Sequence, residues 1–342
     1  MMKAEKPKLE KEIKKFCSRI GQNPLFVQGA GGNISWKDDN TLWIKASGKW
    51  IAKAETEEIF VPVNLKTLLE NLKKNNFSVK PQISIKSLLR PSIETFLHAL
   101  LPHKIVLHIH AVEILSYLVK LTSEKEIRTI YGDKNNWIYL NYFKPGEELA
   151  IALAKKLNNN HNIDVIFMEN HGIVIGSDNL KNLEALLQNL TSEFKTETRL
   201  KPINYSYNEN ISVLLDYGYL RCKNEEINHL SLEKSFANRL KHEWALYPDH
   251  VVFLGKNAAI LESNFTYAEL FELIKHNPPF IFVIDNGVYE SPNIKEYHRA
   301  QLLCYYDVII RQKKSDKLKV LNSKEIKDLL NWDAETHRQN LQ

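Results

Sequence analysis

Cysteine is scarce in this chain, which has only Cys17, Cys222 and Cys304 among its 342 residues. The number is odd, the three lie far apart, and no C-x-x-C pair occurs, so a disulfide framework is excluded and reduced, partly buried thiols are expected. No apolar run reaches the length of a membrane span, and the N-terminus is charged where a signal peptide would be apolar. These absences predict a cytoplasmic protein with no membrane partner.

The chain also has no large excess of positive or negative charge, since its formal net charge is only +5. Lysines alternate with acidic residues, as in Glu5–Glu12, which is typical of a solvated amphipathic helix and not of a nucleic-acid-binding arm. The hydrophobic content of 44% and the charged content of 25% are those of a globular protein. We therefore expect no nucleic-acid partner, and the pI near 8.8 is at most weakly suggestive of anionic ligands.

No low-complexity tract or short-period repeat is present, and strand-like and helix-like segments alternate along the chain. Apolar residues with helical spacing predict a first helix over 8–20. The polar, turn-rich segment 200–225 predicts a connection, which gives two domains, 1–200 and 201–342. The second domain repeats the α/β pattern, and we predict a strand at His250–Leu254 within it.

Three histidines have a spacing that permits a metal site. His108 and His110 follow the apolar run Ile105–Leu107, and residues i and i+2 of a strand point to the same face. His171 follows a second apolar run, Val165–Met168, so it can lie at the end of a neighbouring strand. Three neutral imidazoles with an open fourth position are typical of a catalytic zinc site. His-x-His alone is more often an ordinary pair of histidines.

The remaining histidines of the C-terminal part lack metal-ligand spacing, and we interpret them as scattered core or surface residues. They are His229, His242, His250, His276, His298 and His337.

Two glycine-containing segments could bind an anion. In Gly29–Ser35 the glycines allow backbone N–H groups to approach an anion closely, and the asparagine adds a side-chain donor. Lys45–Gly48 places a cation, a hydroxyl and a glycine at a strand end. Alone, the first segment is better interpreted as a glycine-rich β-turn, and the alternative for the second is an ordinary turn with a solvated lysine.

A third segment, Arg90–Glu94, carries a carboxylate. Ser92 is a suitable helix N-cap, and this capping role is a sufficient structural explanation for Ser92. Glu94 in the first turn is favoured by the helix dipole. One helix and a short turn would nevertheless return the chain to the His108 strand, so Glu94 can lie near the histidine pair. His98 shares the helix face of Glu94, and we expect a packing or supporting role for it.

In this order, the segments resemble the class II aldolase/adducin family, which includes the fuculose- and rhamnulose-1-phosphate aldolases. The resemblance covers residues from about 8 to 200. Beyond them the chain is similar to the extension in the aldolase half of bifunctional rhamnulose-phosphate aldolase/dehydrogenase proteins, without a dehydrogenase half. The motifs are G-x-G-G-N-x-S at 29–35, I-K-A-S-G at 44–48, P-S-x-E at 91–94, H-x-H at 108–110 and N-H-G at 170–172.

The resemblance assigns roles to individual residues. It implies that His108, His110 and His171 bind Zn²⁺ or another divalent metal, and that Glu94 is the catalytic carboxylate. The substrate or its phosphate would be held by Asn33, Ser47, Gly48 and Ser92, together with Gly32 and Lys45 of the same turns. One departure is Ile93, where simple sugar-phosphate aldolases usually have a second serine.

The resemblance also implies a fold and an activity. The expected fold is an α/β (α+β) class: α/β/α layers around a mainly antiparallel sheet, with an α/β C-terminal extension. The expected protein is a homo-oligomer, with a tetramer favoured, that acts on a sugar or sugar phosphate. It would be an aldolase that forms or cleaves a carbon–carbon bond through an enediolate stabilised by the metal. A Schiff base on Lys45 is the weaker interpretation.

Three alternatives stay open at this point. A dehydratase or decarboxylase could use the same metal site. A ribulose-phosphate 4-epimerase could use it as well, although the related epimerases have an aspartate where this chain has Glu94. A non-catalytic, adducin-like binding module would keep the fold without the reaction, although adducin-type heads lack the metal-binding histidines that this chain retains.

Overall fold

The computed structural model describes residues 2–84, 87–132, 136–157, 162–198 and 211–333, with side chains from residue 8 onward. The chain divides into two compact units. The first comprises Met1–Thr196 with Asn331–Gln342, and the second comprises Glu197–Leu330. Residues 200–210 of the predicted connection, and His337, lie outside the described residues.

The first unit contains a seven-stranded sheet in the order β3-β2-β1-β4-β7-β6-β5. All neighbouring strands are antiparallel except β5 and β6, which confirms the predicted mainly antiparallel sheet. The strands are β1 (Asn33–Asp38), β2 (Thr41–Lys45), β3 (Phe60–Asn64), β4 (Ile105–Ile109), β5 (Trp137–Leu140), β6 (Val165–Met168) and β7 (Gly172–Ser177).

Helices cover both faces of this sheet, as the predicted layers require. Phe96, Leu97 and Ala150 pack with buried strand residues on one face. Phe167 projects to the opposite face, because its neighbour Ile166 lies in the first layer, and it contacts Tyr131 and Phe194. The helices are α1 (Met2–Gly21), α2 (Leu65–Lys73), α3 (Thr95–Leu100), α4 (Val112–Leu118), α5 (Ser123–Tyr131), α6 (Glu147–Leu157) and α7 (Leu180–Glu193).

The second unit contains a four-stranded sheet in the order β8-β11-β10-β9, in which β9 and β10 are parallel. The strands are β8 (Leu220–Arg221), β9 (Ile260–Leu261), β10 (Phe280–Val283) and β11 (Gly287–Glu290). The helices are α8 (Ser212–Asp216), α9 (Glu225–Leu232), α10 (Lys234–His242), α11 (Pro248–Leu254), α12 (Tyr267–Ile274), α13 (Glu296–Ile310) and α14 (Ser323–Leu330). The second unit therefore combines helices and strands, as the predicted α/β pattern requires.

The strand predicted at His250–Leu254 is wrong, because these residues form the buried helix α11. A short apolar run has the same composition in a buried strand and in a buried helix, so its periodicity could not separate the two. Pro248 at the first turn and Gly255 at the end, with φ +86°, are the features that favour a helix. Among the helices in the described residues, none combines the length and the apolar composition that crossing a membrane requires.

Candidate active site and metal centre

Strand β4 and its end bring the first two histidines together. His108 lies on β4 between its cross-strand partners Asn33 and Val174, and it is 1% exposed. His110 follows the strand end and is 5% exposed. The Nε2 atoms of His108 and His110 are 3.2 Å apart, so the two rings converge as the i, i+2 spacing predicts.

The hairpin between β6 and β7 brings the third histidine to the same place. Three residues connect the paired Met168 and Gly172, with Asn170 in the left-handed region at φ +52° and His171 last. Gly172 is needed here, because a Cβ at this position would lie 2.5 Å from the carbonyl oxygen of Ile109. The missing side chain therefore lets the hairpin close against the end of β4.

The geometry of the three rings fits a divalent cation. Each of His108, His110 and His171 offers a ring nitrogen, and these atoms lie within 4.8 Å of one another. Two nitrogens bound at about 2.0–2.1 Å to one tetrahedral zinc lie about 3.3 Å apart, close to the spacing of the first pair. Within the described ranges, no other three ligand-type side chains converge in this way.

The proton of His108 is placed by its surroundings. Nδ1 of this ring lies 2.9 Å from the carbonyl oxygen of Ile173, which can only accept, so Nδ1 donates. A neutral imidazole that donates through Nδ1 has its lone pair on Nε2, the atom that faces the other rings. The first of the three rings is therefore fixed in the tautomer that a metal ligand needs.

Glu94 is the carboxylate beside this cluster. It is 5% exposed, and its Oε2 accepts a hydrogen bond of 2.8 Å from Nδ2 of Asn33. The Nε2 atom of His108 lies 3.5 Å from Oε2, and that of His171 lies 3.6 Å from Oε1. A carboxylate is thus held within reach of any carbonyl compound that binds next to the rings.

The predicted N-cap of helix α3 is two residues early. The helix starts at Thr95, so Glu94 and not Ser92 occupies the cap position, without a side-chain capping bond. Ser92 instead accepts the N–H of Glu94 through its hydroxyl, at 3.2 Å. This bond fixes the backbone directly ahead of the helix and thereby the origin of the Glu94 side chain.

The predicted anion-binding residues come from segments that are paired along the backbone. The N–H of Ser47 donates to the carbonyl of Arg90 at 2.9 Å, and the N–H of Ser92 donates to the carbonyl of Lys45 at 3.2 Å. Gly48 follows with φ +74°. The two serines therefore lie on adjacent backbone segments, and the second of these segments continues into Glu94.

The turn at 29–32 closes against the histidine strand. Gly32 has φ +61°, and a Cβ there would lie 2.8 Å from the carbonyl oxygen of His108. The Nζ atom of Lys45 donates to the carbonyl oxygens of Ala30, at 2.9 Å, and Lys49, at 2.6 Å. Lys45 is only 2% exposed, so the alternative of a solvated turn lysine is wrong.

Comparison with known proteins gives the family. The family model for the class II aldolase and adducin N-terminal domain matches residues 11–198, more than half of the chain. The chain belongs to the class II aldolase and adducin family. The predicted family is thereby confirmed, and the three converging histidines and Glu94 all lie within the matched region.

Among curated proteins, this family member is similar to the uncharacterized oxidoreductase YuxG of Bacillus subtilis (strain 168), at 28% identity over 187 residues. The match covers 50% of this chain but only 27% of that protein, so the matched part spans about a quarter of the relative's length.

Among solved structures, it is similar to the N-terminal class II aldolase domain of a Thermoplasma acidophilum protein. That likeness has 28% identity and a TM-score of 0.47, and it covers 54% of this chain and 90% of the other. A second likeness is to L-fuculose-1-phosphate aldolase from Thermus thermophilus, with 17% identity, a TM-score of 0.36 and coverage of 53% and 91%.

Two supporting residues of this class II aldolase domain had little or no signal in the sequence. His98 is fully buried, and its Nδ1 lies 2.8 Å from the hydroxyl of Ser35. Burial, with the nearby His108 and Lys37, holds the pKa of His98 well below its ordinary value, so the ring is neutral. Gln28 donates through Nε2 to the carbonyl oxygen of His110 at 3.4 Å. In the sequence, the spacing of His98 from Glu94 indicated a supporting role for His98, whereas nothing indicated the contact of Gln28.

Proposed function

We propose that this protein is a metal-dependent aldolase of the class II type. It would hold Zn²⁺, or another divalent cation, on His108, His110 and His171, and it would cleave or form a carbon–carbon bond in a small, phosphorylated, ketose-type substrate. One observation carries the proposal: three buried imidazoles converge beside a buried carboxylate, Glu94, in a chain of this family.

The donor set accounts for the chemistry. When bound by three neutral imidazoles, a divalent cation keeps its positive charge and stabilises the negative charge that develops as the bond next to a carbonyl breaks. Glu94 carries the proton: in bond formation it removes one from the carbon beside the carbonyl, and in cleavage it returns that proton. Asn33 holds the carboxylate in place through its hydrogen bond to Oε2.

The anionic part of the substrate would lie against the paired turns. Ser47 and Ser92 offer hydroxyl groups there, and Gly48 lets the backbone approach an anion closely. Ile93 offers no hydroxyl, so the site has fewer side-chain donors than one with a second serine. We expect the phosphate to be held by a small number of hydroxyl and N–H groups.

Other reactions of the family use comparable donor sets, so a dehydratase, decarboxylase or epimerase is the second candidate. The glutamate at position 94 favours the aldol reaction by the family resemblance. A binding module without catalysis is disfavoured, because polar groups gathered in a protein interior cost free energy of folding and are rarely kept without use.

The experiment combines metal analysis with a substrate screen. Gently purified protein is expected to contain about one divalent metal ion per chain. The metal-loaded protein is then incubated with phosphorylated and free ketoses, and the released aldehyde is measured, with chelated and remetallated samples as controls. Protein without any divalent metal would favour the binding module. Metal-loaded protein that turns over a substrate without releasing an aldehyde would favour the second candidate.

Oligomeric state and partners complete the proposal. We expect a cytoplasmic homo-oligomer, with a tetramer favoured, whose partner is a sugar or sugar phosphate and not a nucleic acid or a membrane. Light scattering of the purified protein tests the assembly, and a monomeric mass would contradict it.

A further inference from the structure

The chain returns to the first unit after passing through the whole of the second. The first unit resumes at Asn331, and the next residue, Trp332, has a partly buried ring. The Nζ atom of Lys144 lies 4.9 Å from the centroid of this ring, which is a cation–π contact. The returning segment is thereby held against the loop between β5 and α6, residues 141–146.

Gly146 is the point at which this loop meets the ring. It has φ +93°, and a Cβ at this position would lie 3.1 Å from Cη2 and 3.4 Å from Cζ2 of Trp332. The same Cβ would lie 3.7 Å from the carbonyl oxygen of Ile93, the residue directly ahead of Glu94. The missing side chain therefore brings the loop close to the ring and to the backbone that leads into the catalytic carboxylate.

The 141–146 loop also lies at the catalytic end of the sheet. Because β5 and β6 are parallel, the loop after β5 leaves the sheet at the same end as the hairpin after β6, which carries His171. The N–H of Tyr142 donates to Oε2 of Glu169, in that hairpin, at 3.0 Å. One loop thus reaches the histidine hairpin and the segment ahead of Glu94, and Trp332 packs on this loop.

The position of Glu94 depends on backbone that local capping secures only in part. Glu94 stands at the cap position of α3 without a side-chain capping bond, and its N–H donates to the hydroxyl of Ser92. A proton-transferring carboxylate requires accurate placement, since a displacement of about 1 Å can lower a rate by about 100-fold. A large ring packed on the neighbouring loop restricts the movement of the peptide between Ile93 and Glu94.

We infer that Trp332 is a positioning residue. By packing on the 141–146 loop it acts through Gly146 and Ile93 and holds the backbone that carries Glu94. A segment that follows the second unit along the chain thereby completes the active site of the first. The effect on catalysis rests on the proposed function, whereas the effect on the backbone exists without any substrate.

The kinetic test compares two variants of the full-length, metal-loaded protein. Trp332→Ala removes the ring, and Trp332→Phe keeps a smaller aromatic ring in its place. The matched control is Trp43→Ala, which removes another partly buried tryptophan of the first unit, one that stacks on Trp36. The aldehyde-release assay gives kcat and KM, and metal content and thermal unfolding are measured for every variant.

Hydrogen exchange of backbone amides provides a second measurement that needs no substrate. The N–H of His98 donates to the carbonyl of Glu94 at 3.2 Å, and the N–H of Ala150 donates to the carbonyl of Gly146 at 3.0 Å. Exchange at these two amides reports local opening of the backbone at Glu94 and at the loop.

We expect Trp332→Ala to lower kcat by about tenfold or more, to change KM by less than about threefold and to keep the metal, because the donor set is untouched. Both amides should exchange faster. Trp332→Phe should recover most of kcat, and Trp43→Ala should leave kcat and both amides unchanged. A normal kcat with unchanged exchange in Trp332→Ala would overturn the inference, and so would an equal loss in Trp43→Ala.

A second variant keeps the test decisive if Trp332→Ala does not fold. Gly146→Ala displaces the ring instead of removing it, and Gly132→Ala, where φ is +72° and a Cβ would meet nothing within 4 Å, is its control. Equal exchange and equal kcat in these two variants would overturn the inference. Natural protein without lyase activity would contradict the proposed function alone, and unchanged exchange at the two amides would then still overturn the positioning role of Trp332.

Discussion

Buried histidines occur in both units of the molecule, and the two sets have opposite surroundings. In the first unit, the rings of His108, His110 and His171 face one another and Glu94. In the second unit, His250 is 0% exposed, and its ring centroid lies 4.3 Å from that of Trp244. Tyr305, at 4.9 Å, and Tyr247, at 5.4 Å, also contact this ring.

The difference shows what distinguishes a candidate site from a packed core. His250 has no hydrogen-bond partner on either ring nitrogen among the described residues, and burial lowers its pKa to about 3. It therefore serves as a neutral aromatic ring. His108 instead donates through Nδ1 to the carbonyl of Ile173 and presents Nε2 to its neighbours. Burial is common to both, and only the convergence of lone pairs indicates a metal site.

The largest expected effect comes from removing one ring of the convergent set. We predict that His110→Ala loses bound divalent metal and lyase activity together, because three protein ligands are the usual minimum for a catalytic site of this kind. Metal analysis by mass spectrometry and an aldehyde-release assay measure the two properties. The control is His242→Ala, which removes an exposed histidine of the second unit. Full metal occupancy in His110→Ala would remove this ring from the site.

Changing the carboxylate without the rings separates catalysis from metal binding. We predict that Glu94→Gln retains the metal, since the imidazoles are unchanged, but lowers the turnover rate by about 100-fold or more, because the amide cannot carry the proton. Steady-state kinetics and metal content are measured on the same preparation. The control is Glu113→Gln, which changes a carboxylate that accepts hydrogen bonds from Thr196. A near-normal rate in Glu94→Gln would exclude Glu94 from proton transfer.

The sequence predicted much of this convergence because most of it depends on local geometry. The i, i+2 spacing of His108 and His110 and the short hairpin before His171 are properties of single strands and turns. The family was predicted correctly from the ordered set of motifs in the first unit, and the mainly antiparallel sheet was predicted correctly through that resemblance.

The errors come from segments whose structure depends on distant contacts. Helix α11 was predicted as a strand, because an apolar run of this length has no distinguishing periodicity once all of its residues are buried. Lys45 was given a solvated alternative, because the carbonyl of Ala30 that accepts its hydrogen bond comes from another turn. The requirement for glycine at 172 was missed, since it arises only where the hairpin meets β4.

A smaller effect is expected from adding a side chain at Gly172, where the β6–β7 hairpin packs closely against the end of β4. We predict that Gly172→Ala lowers the free energy of unfolding by about 1–3 kcal/mol, because its Cβ would overlap the carbonyl oxygen of Ile109. The metal affinity should fall as well, since the same Cβ would lie 3.0 Å from Cδ2 of His110. Chemical denaturation and metal titration measure the two effects.

The control for Gly172→Ala is Gly132→Ala, where φ is +72° and a Cβ would meet nothing within 4 Å. Backbone strain alone should lower stability there, and metal affinity should be unchanged. Equal metal affinity in both variants would show that the hairpin does not need its close approach to β4.

The smallest effect is expected at the histidine that takes no part in the convergence. At neutral pH, His250→Phe should change the free energy of unfolding by less than about 1.5 kcal/mol and leave metal content unchanged, because one aromatic ring replaces another among aromatic neighbours. Acid should separate the two proteins. The pKa of His250 is about 3 in the folded state against an ordinary value of 6.5, so below about pH 6.5 the unfolded chain takes up a proton that the folded chain excludes.

The natural protein should therefore lose stability through His250 as the pH falls from about 6.5 towards 3, and His250→Phe should lack this loss. Urea denaturation of both proteins between about pH 7.5 and pH 5 measures the difference, which should grow in favour of the variant as the pH decreases. A constant difference would mean that His250 takes up a proton as readily in the folded state as in the unfolded chain. His250 would then not be a permanently neutral ring with a purely packing role, and this contrast with the histidines of the first unit would be lost.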